Sequence, residues 1–137
     1  MSDMQKLLYY GIERYEDLPQ WLAAMDVGLV LYKDGPANYN SPLKLFDYMA
    51  SGLSVVGTMQ PRLKEIFSDI GCDELLIPLG DKIKLAEKLI WLLENKDKLK
   101  TYGNNARRLL IEKYTWKHNA SKIVHDINMI QKLTSVD

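Results

Sequence analysis

Along the first eighty residues, short continuous apolar runs alternate with amphipathic stretches. Residues 7–12 (LLYYGI), 27–32 (VGLVLY), 54–58 (SVVGT) and 75–79 (LLIPL) are bounded by Gly, Pro or Asp. Unbroken runs of this length suit strands buried on both faces of a sheet. Helix-start signals lie between them. EDLPQWLAAM places Pro19 near a first turn, and NSPLKLFDYMAS sets Ser41 as N-cap with Pro42 at the first helical position. QPRLKEIFSDIG starts at Pro61 and stops at Gly71. Ser before Pro opens a helix because the hydroxyl accepts a first-turn N–H while proline surrenders a donor that would be orphaned anyway. The alternation predicts parallel strands joined by right-handed crossovers, with helices on both faces of the sheet.

Beyond residue 80 the pattern is helical alone. Asp81 caps KIKLAEKLIWLLEN, whose Ile83, Ala86, Ile90 and Leu93 predict one apolar face. The run KDKLKTYGNNARRLLIEKY is expected to bend or break at Gly103-Asn104-Asn105. A third helix is expected from near Thr115, with Trp116, Ala120, Ile123, Ile127 and Ile130 on one stripe. This helical layer would cover a sheet edge or dock onto a neighbouring domain. The fold class is therefore α/β: a partial Rossmann-like, mostly parallel sheet with a helical carboxyl-terminal layer. No Gly-rich turn follows an opening strand, and four strands are few for a nucleotide-binding domain, so residues 1–137 read as one partial domain, the back half of such a fold.

Composition narrows the partners. The 137 residues are 47% hydrophobic, with eighteen Lys and Arg against eighteen Asp and Glu. One core fits that length, and zero net charge gives no general grip on nucleic acid or an anionic membrane. Any anion site must be local. A single cysteine, Cys72, excludes a disulfide within the chain and points to a reducing, cytoplasmic setting. Its acidic neighbour Asp73 raises a thiol's pKa, so Cys72 reads as an inert packing or surface residue. The first residues, MSDMQK, lack the pattern of a secretory signal, and the longest uncharged run, Tyr48–Pro61, is too short to cross a bilayer. His118 and His125 share a helix face without an accompanying ligand cluster, so no metal is expected. Trp21, Trp91 and Trp116 read as core anchors.

Chemistry concentrates in residues 40–52, NSPLKLFDYMASG. With residues 27–32 as a strand, the loop before Ser41 leaves its carboxyl end, where open α/β sheets bind ligands. First-turn amides and the helix dipole seat a phosphate there, and Lys44 adds a point charge. Asp47, one turn on, can accept hydrogen bonds from sugar hydroxyls. Phosphate at the helix tip and a polyol beside it describe a nucleoside diphosphate. The plain alternative is an ordinary helix start carrying a Lys44–Asp47 surface pair worth a few tenths of a kcal/mol.

The stretch SPLKLFDYMASGLSVVGT resembles SP-x-K-L-F-E-Y-M-A-x-G-x-P-V-V, the signature of the carboxyl-terminal, donor-binding domain of GT-B glycosyltransferases, specifically retaining glycosyltransferase family 4 (glycosyl transferases group 1). Upstream, YYGIERYEDLPQWLAAMDVGLVLY is similar to that family's F-x-G-x-V-x-x-x-E-L-P-x-x-L-A-x-A-D-V-x-L run. Downstream, the order of a helix, an L-L-V-P-x-G-D strand, an L-A-x-A-I-x-x-L-L helix and a closing F-T-W is also similar. The resemblance implies a nucleotide sugar as substrate and neither metal nor cofactor. Ser41, Pro42 and Leu43 would offer backbone to the diphosphate, with Lys44 beside it. Asp47 stands at the second Glu of the family's E-x-x-x-x-x-x-x-E motif, which holds the ribose hydroxyls. Tyr39 stands at the first, so sugar recognition would pass to Asn38 and Asn40. The base is expected around Ile12, Glu13 and Arg14, and Glu65 matches a recurrent family Glu given first to helix-start stabilisation. The resemblance assigns no catalytic residue. The family's acceptor domain and the first two strands of its donor domain have no counterpart, so the chain reads as amino-terminally truncated and inactive alone. A homodimer or the missing amino-terminal domain would be its partner. The alternative is a noncatalytic nucleotide-binding or scaffolding module acting through self-association or a partner chain.

Overall fold

The computed structural model describes residues 8–33 and 42–134. Its centre is a parallel three-stranded sheet in the order β1 (Val27–Val30), β2 (Ser54–Thr58), β3 (Leu76–Ile77). Val27 lies opposite Ser54 and Gly57 opposite Leu76. Every residue of β2 is buried, as expected of the central strand of a parallel sheet. Helices flank the sheet: α1 (Leu18–Ala23), α2 (Leu43–Ala50), α3 (Pro61–Ile70), α4 (Lys82–Glu94), α5 (Lys96–Lys113) and α6 (Trp116–Thr134). This is the α/β, partial Rossmann-like class that the alternation predicts.

Two glycines let helices close on the strands. Gly28 of β1 faces the Tyr48 ring of α2 where a Cβ would fall 2.4 Å from a ring carbon, and Gly57 of β2 is met by Leu63 and Phe67 of α3. The exits of the strands are tied together, since the Tyr32 amide donates to the Thr58 hydroxyl over 3.0 Å and the Met59 amide to the Ile77 carbonyl over 2.7 Å. The core joins Val55 and Val56 to Leu45 and Met49 of α2, Ile66 and Phe67 of α3, Leu92 of α4 and Tyr102 of α5.

Several expectations need correction. No strand forms at residues 8–12, where Tyr9 is 88% and Ile12 100% exposed. An apolar run without a strand beside it has no ladder to complete. The run at 75–79 contributes only Leu76 and Ile77, after a 3₁₀ turn at Asp73–Leu75. Helix α2 starts one residue late, with Pro42 as its N-cap residue and Leu43 first. On α4 the expected face is inverted: Ile83, Ala86, Ile90 and Leu93 are exposed, while Leu92 is fully buried with Leu85, Leu89 and Trp91 packed on the core. Both faces repeat at helical spacing, and docking onto β2 and α5 selects the second. Helix α5 runs unbroken through Gly103, whose bare Cα faces the Gly52 carbonyl; a Cβ would sit 2.0 Å from that oxygen. No residue of α6 is buried, and Trp116 is 85% exposed rather than a core anchor.

Candidate functional site

The start of α2 follows from local chemistry. Leu45 and Met49, four apart, turn one face wholly into the core, and Phe46 packs against Tyr114 with ring centroids 5.3 Å apart. Tyr48 lies on Gly28 and its hydroxyl meets the Leu29 backbone, while burial, ahead of the nearby Asp47 charge, pushes its pKa up. With those contacts fixed, the remaining face is presented outward. Pro42 is buried, Leu43 and Lys44 are exposed and Asp47 is half-buried. Because β1 runs parallel to β2 and α2 begins after β1's exit, the first turn of α2 lies on the carboxyl side of the sheet.

Beside α2 runs an open cleft of about 320 Å³. Tyr15, of a 3₁₀ turn at Tyr15–Asp17, forms one wall with Leu18, Pro19 and Leu22 of α1; the other is Asp47, Ala50 and Ser51. The lining is mostly apolar, and Asp47 is the one carboxylate among these lining residues. A cleft of this size, largely apolar with a few convergent polar groups, is the common form of a small-molecule site. Asp47 thus faces a cavity instead of a partner on its own helix: no ion pair joins it to Lys44. The plain reading as a surface Lys–Asp pair is not what the side chains do.

Other expected residues are placed less favourably. Ser41 and Asn40 lie outside the described residues, as do Asn38 and Tyr39. Lys44 is exposed near the helix start but does not line the cleft. Ile12, Glu13 and Arg14 are exposed and also outside the lining; Arg14 reaches Asp17 at 3.3 Å and Glu16 at 3.8 Å in surface pairs worth under about 1 kcal/mol. Tyr15, the next residue, is in the wall and was missed by the sequence reading. Its signal was an aromatic side chain in the turn just before a Leu-Pro helix start. Glu65 pairs with Arg62 at 2.8 Å on the surface of α3, away from the cleft. Cys72 is buried, and burial, then the charges of Glu74 and Asp73, push its thiol up to about 12, which fits an inert packing role. His118 accompanies the start of α6, with its amide donating to the Thr115 hydroxyl over 3.3 Å. Among the described residues no three His, Cys, Asp or Glu side chains gather as a metal site. None of the described helices is long and apolar enough to cross a membrane.

The chain is thus an α/β protein with a helix start on the carboxyl side of a parallel sheet and, along the later half of that helix, a cleft lined by one carboxylate. Residues 6–125 match a family described as glycosyl transferase-like, and the chain belongs to that family. It is also 34% identical over 59 residues to the "Putative teichuronic acid biosynthesis glycosyltransferase TuaH" of Bacillus subtilis (strain 168). That match covers 42% of this chain and 15% of the relative, so the chain spans a small part of the relative's length. No solved structure matches.

Proposed function

We propose that this chain is the nucleotide-sugar donor-binding part of a retaining glycosyltransferase of GT-B architecture. The observation that carries the reading is Asp47 facing the cleft one turn below an exposed helix start. The diphosphate would lie against the first turn of α2, where amides without intrahelical partners and the positive end of the dipole favour an anion. Leu43 supplies an amide there, Pro42 supplies only its fixed geometry, Lys44 adds a mobile positive charge, and Ser41 and Asn40 would complete the loop side. The Asp47 carboxylate would accept from the ribose hydroxyls. During transfer, negative charge grows on the departing nucleoside diphosphate as its bond to the sugar carbon breaks. Donors already aimed at that charge lower the barrier, which is usually a large share of catalysis. With one helix start and one lysine the chain supplies part of that stabilisation, and an acceptor-bearing partner would supply the rest.

Calorimetric titration with uridine and guanosine diphosphates tests the reading. We expect saturable binding, weakened roughly tenfold by Asp47→Ala through loss of charged hydrogen bonds and by a smaller factor by Lys44→Ala. Affinities unchanged by either substitution would remove the donor site.

A second reading, a noncatalytic module that works by association, draws on α6, whose apolar stripe is wholly exposed. A partner covering that stripe, a second copy or an amino-terminal domain, is compatible with either reading. Cytoplasmic residence belongs to the same proposal, resting on the lone reduced cysteine.

A further inference from the structure

Resting on the donor-site reading, we infer that Tyr15 is the platform on which the nucleobase of the donor stacks. Tyr15 stands in the wall of the cleft opposite Asp47, with Leu18, Pro19 and Leu22 continuing the apolar surface beside it. Its side chain belongs to no core cluster and is 78% exposed. Tyr10 meets the Trp21 ring in a tilted contact with centroids 4.6 Å apart, whereas Tyr15 has no aromatic partner among the described residues. The turn beneath it is closed by a backbone hydrogen bond, the Asp17 amide donating to the Arg14 carbonyl over 3.1 Å, with an exposed Arg14–Asp17 pair beside it. A large flat ring on a hydrogen-bonded turn at a cleft's edge is placed to recover burial when a planar ligand arrives.

The cleft's two walls ask for a ligand of two characters. On the α2 side a carboxylate suits a group rich in hydroxyls; on the α1 side an aromatic ring above Leu and Pro suits a flat, weakly polar heterocycle. A nucleoside carries both at one bond's separation, and the cavity is of nucleoside scale. Arg14, the nearest cation in sequence, is held by Asp17 and Glu16 outside the lining, which leaves the Tyr15 ring as the base-side contact. Stacking uses the π-face that every base has, so Tyr15 governs whether a base is held more than which base it is.

The test titrates the full chain with uridine diphosphate, guanosine diphosphate and inorganic pyrophosphate. Tyr15→Ala is expected to weaken both nucleotides about tenfold. It should leave pyrophosphate unchanged, and Tyr15→Phe should keep wild-type affinity for all three. Wild-type nucleotide affinity in Tyr15→Ala, with Asp47→Ala impaired, would overturn the stacking role and leave the donor site standing. Equal weakening of pyrophosphate, or a Tyr15→Phe loss as large as that of Tyr15→Ala, would also overturn it. A wild-type chain that binds neither nucleotide at millimolar concentration would overturn both inferences.

Discussion

Gly103 sets how closely α5 approaches the turn after α2, because the Gly52 carbonyl occupies the space a side chain would need. The clash is with backbone, which cannot swing aside as a side chain can. Gly103→Ala should therefore destabilise the fold by about 3 kcal/mol despite alanine's better helix propensity, read as a lower denaturation midpoint. Two buried acids make stability fall in alkali. Cys72 is pushed up to about 12 by burial and by Glu74 and Asp73, and Tyr102 to about 12 by burial and by its hydrogen bond to Glu74. Both groups hold their protons more tightly folded than unfolded, so their contribution is complete below the ordinary thiol range, about 8.5, and is lost as pH rises through about 12. Denaturation midpoints should fall between pH 8 and pH 11, and Cys72→Ala should flatten the fall; a flat wild-type profile would contradict the burial account. At this scale the sequence singled out Asp47, which lines the cleft, and Cys72, which is buried. It did not single out Tyr15, whose place in the cleft wall depends on how the fold sets α1 beside α2.

Among the elements, α4 shows how a helix can be legible while its inward face is not. Asp81 announces its start, and the carboxylate does accept from the Lys84 amide over 2.9 Å. Asp81→Ala should cost about 1 kcal/mol by leaving first-turn amides uncapped. The face is a different matter, since Ile83, Ile90 and Leu93 repeat as regularly as Leu85, Leu89 and Leu92. Only the surface of β2 and α5 chooses between them. Leu92→Ala should cost about 2–4 kcal/mol, and Ile90→Ala, at a residue 56% exposed, under about 0.5. Equal costs would mean α4 is rotated from the orientation described. Strand β2 was plain from its unbroken apolar run because both its faces are covered, and β1 from a similar run although its residues alternate between half-buried and buried. Residues 8–12 carry the same kind of run without a neighbouring strand, a dependence on distant chain that local pattern cannot contain. Proline at the start of α2 was likewise legible to within one residue.

As a whole, the molecule is a small packed core with a long appended helix. The core gathers β1 to β3, α2, α3, α4 and α5, and α6 adds nothing buried to it. Ending the chain after Tyr114 should remove helical circular dichroism while leaving the cooperative unfolding midpoint nearly unchanged; a large drop would show that α6 supports the core. Glycosyltransferase kinship and the parallel α/β class could be read from the sequence because the SPLKLFDYMASG stretch and its flanking runs are local patterns. The partner for the exposed stripe of α6 could not, since an amphipathic helix does not say what covers it. Under the proposed function, the first turn of α2 and the cleft along its later half together hold a nucleoside diphosphate. Backbone amide chemical-shift mapping during titration with uridine diphosphate tests this most directly. The account predicts shifts concentrated at Leu43, Lys44 and Asp47 and across the cleft at Tyr15 and Leu18. Shifts confined to α4, α5 or α6, or none at millimolar ligand, would contradict it.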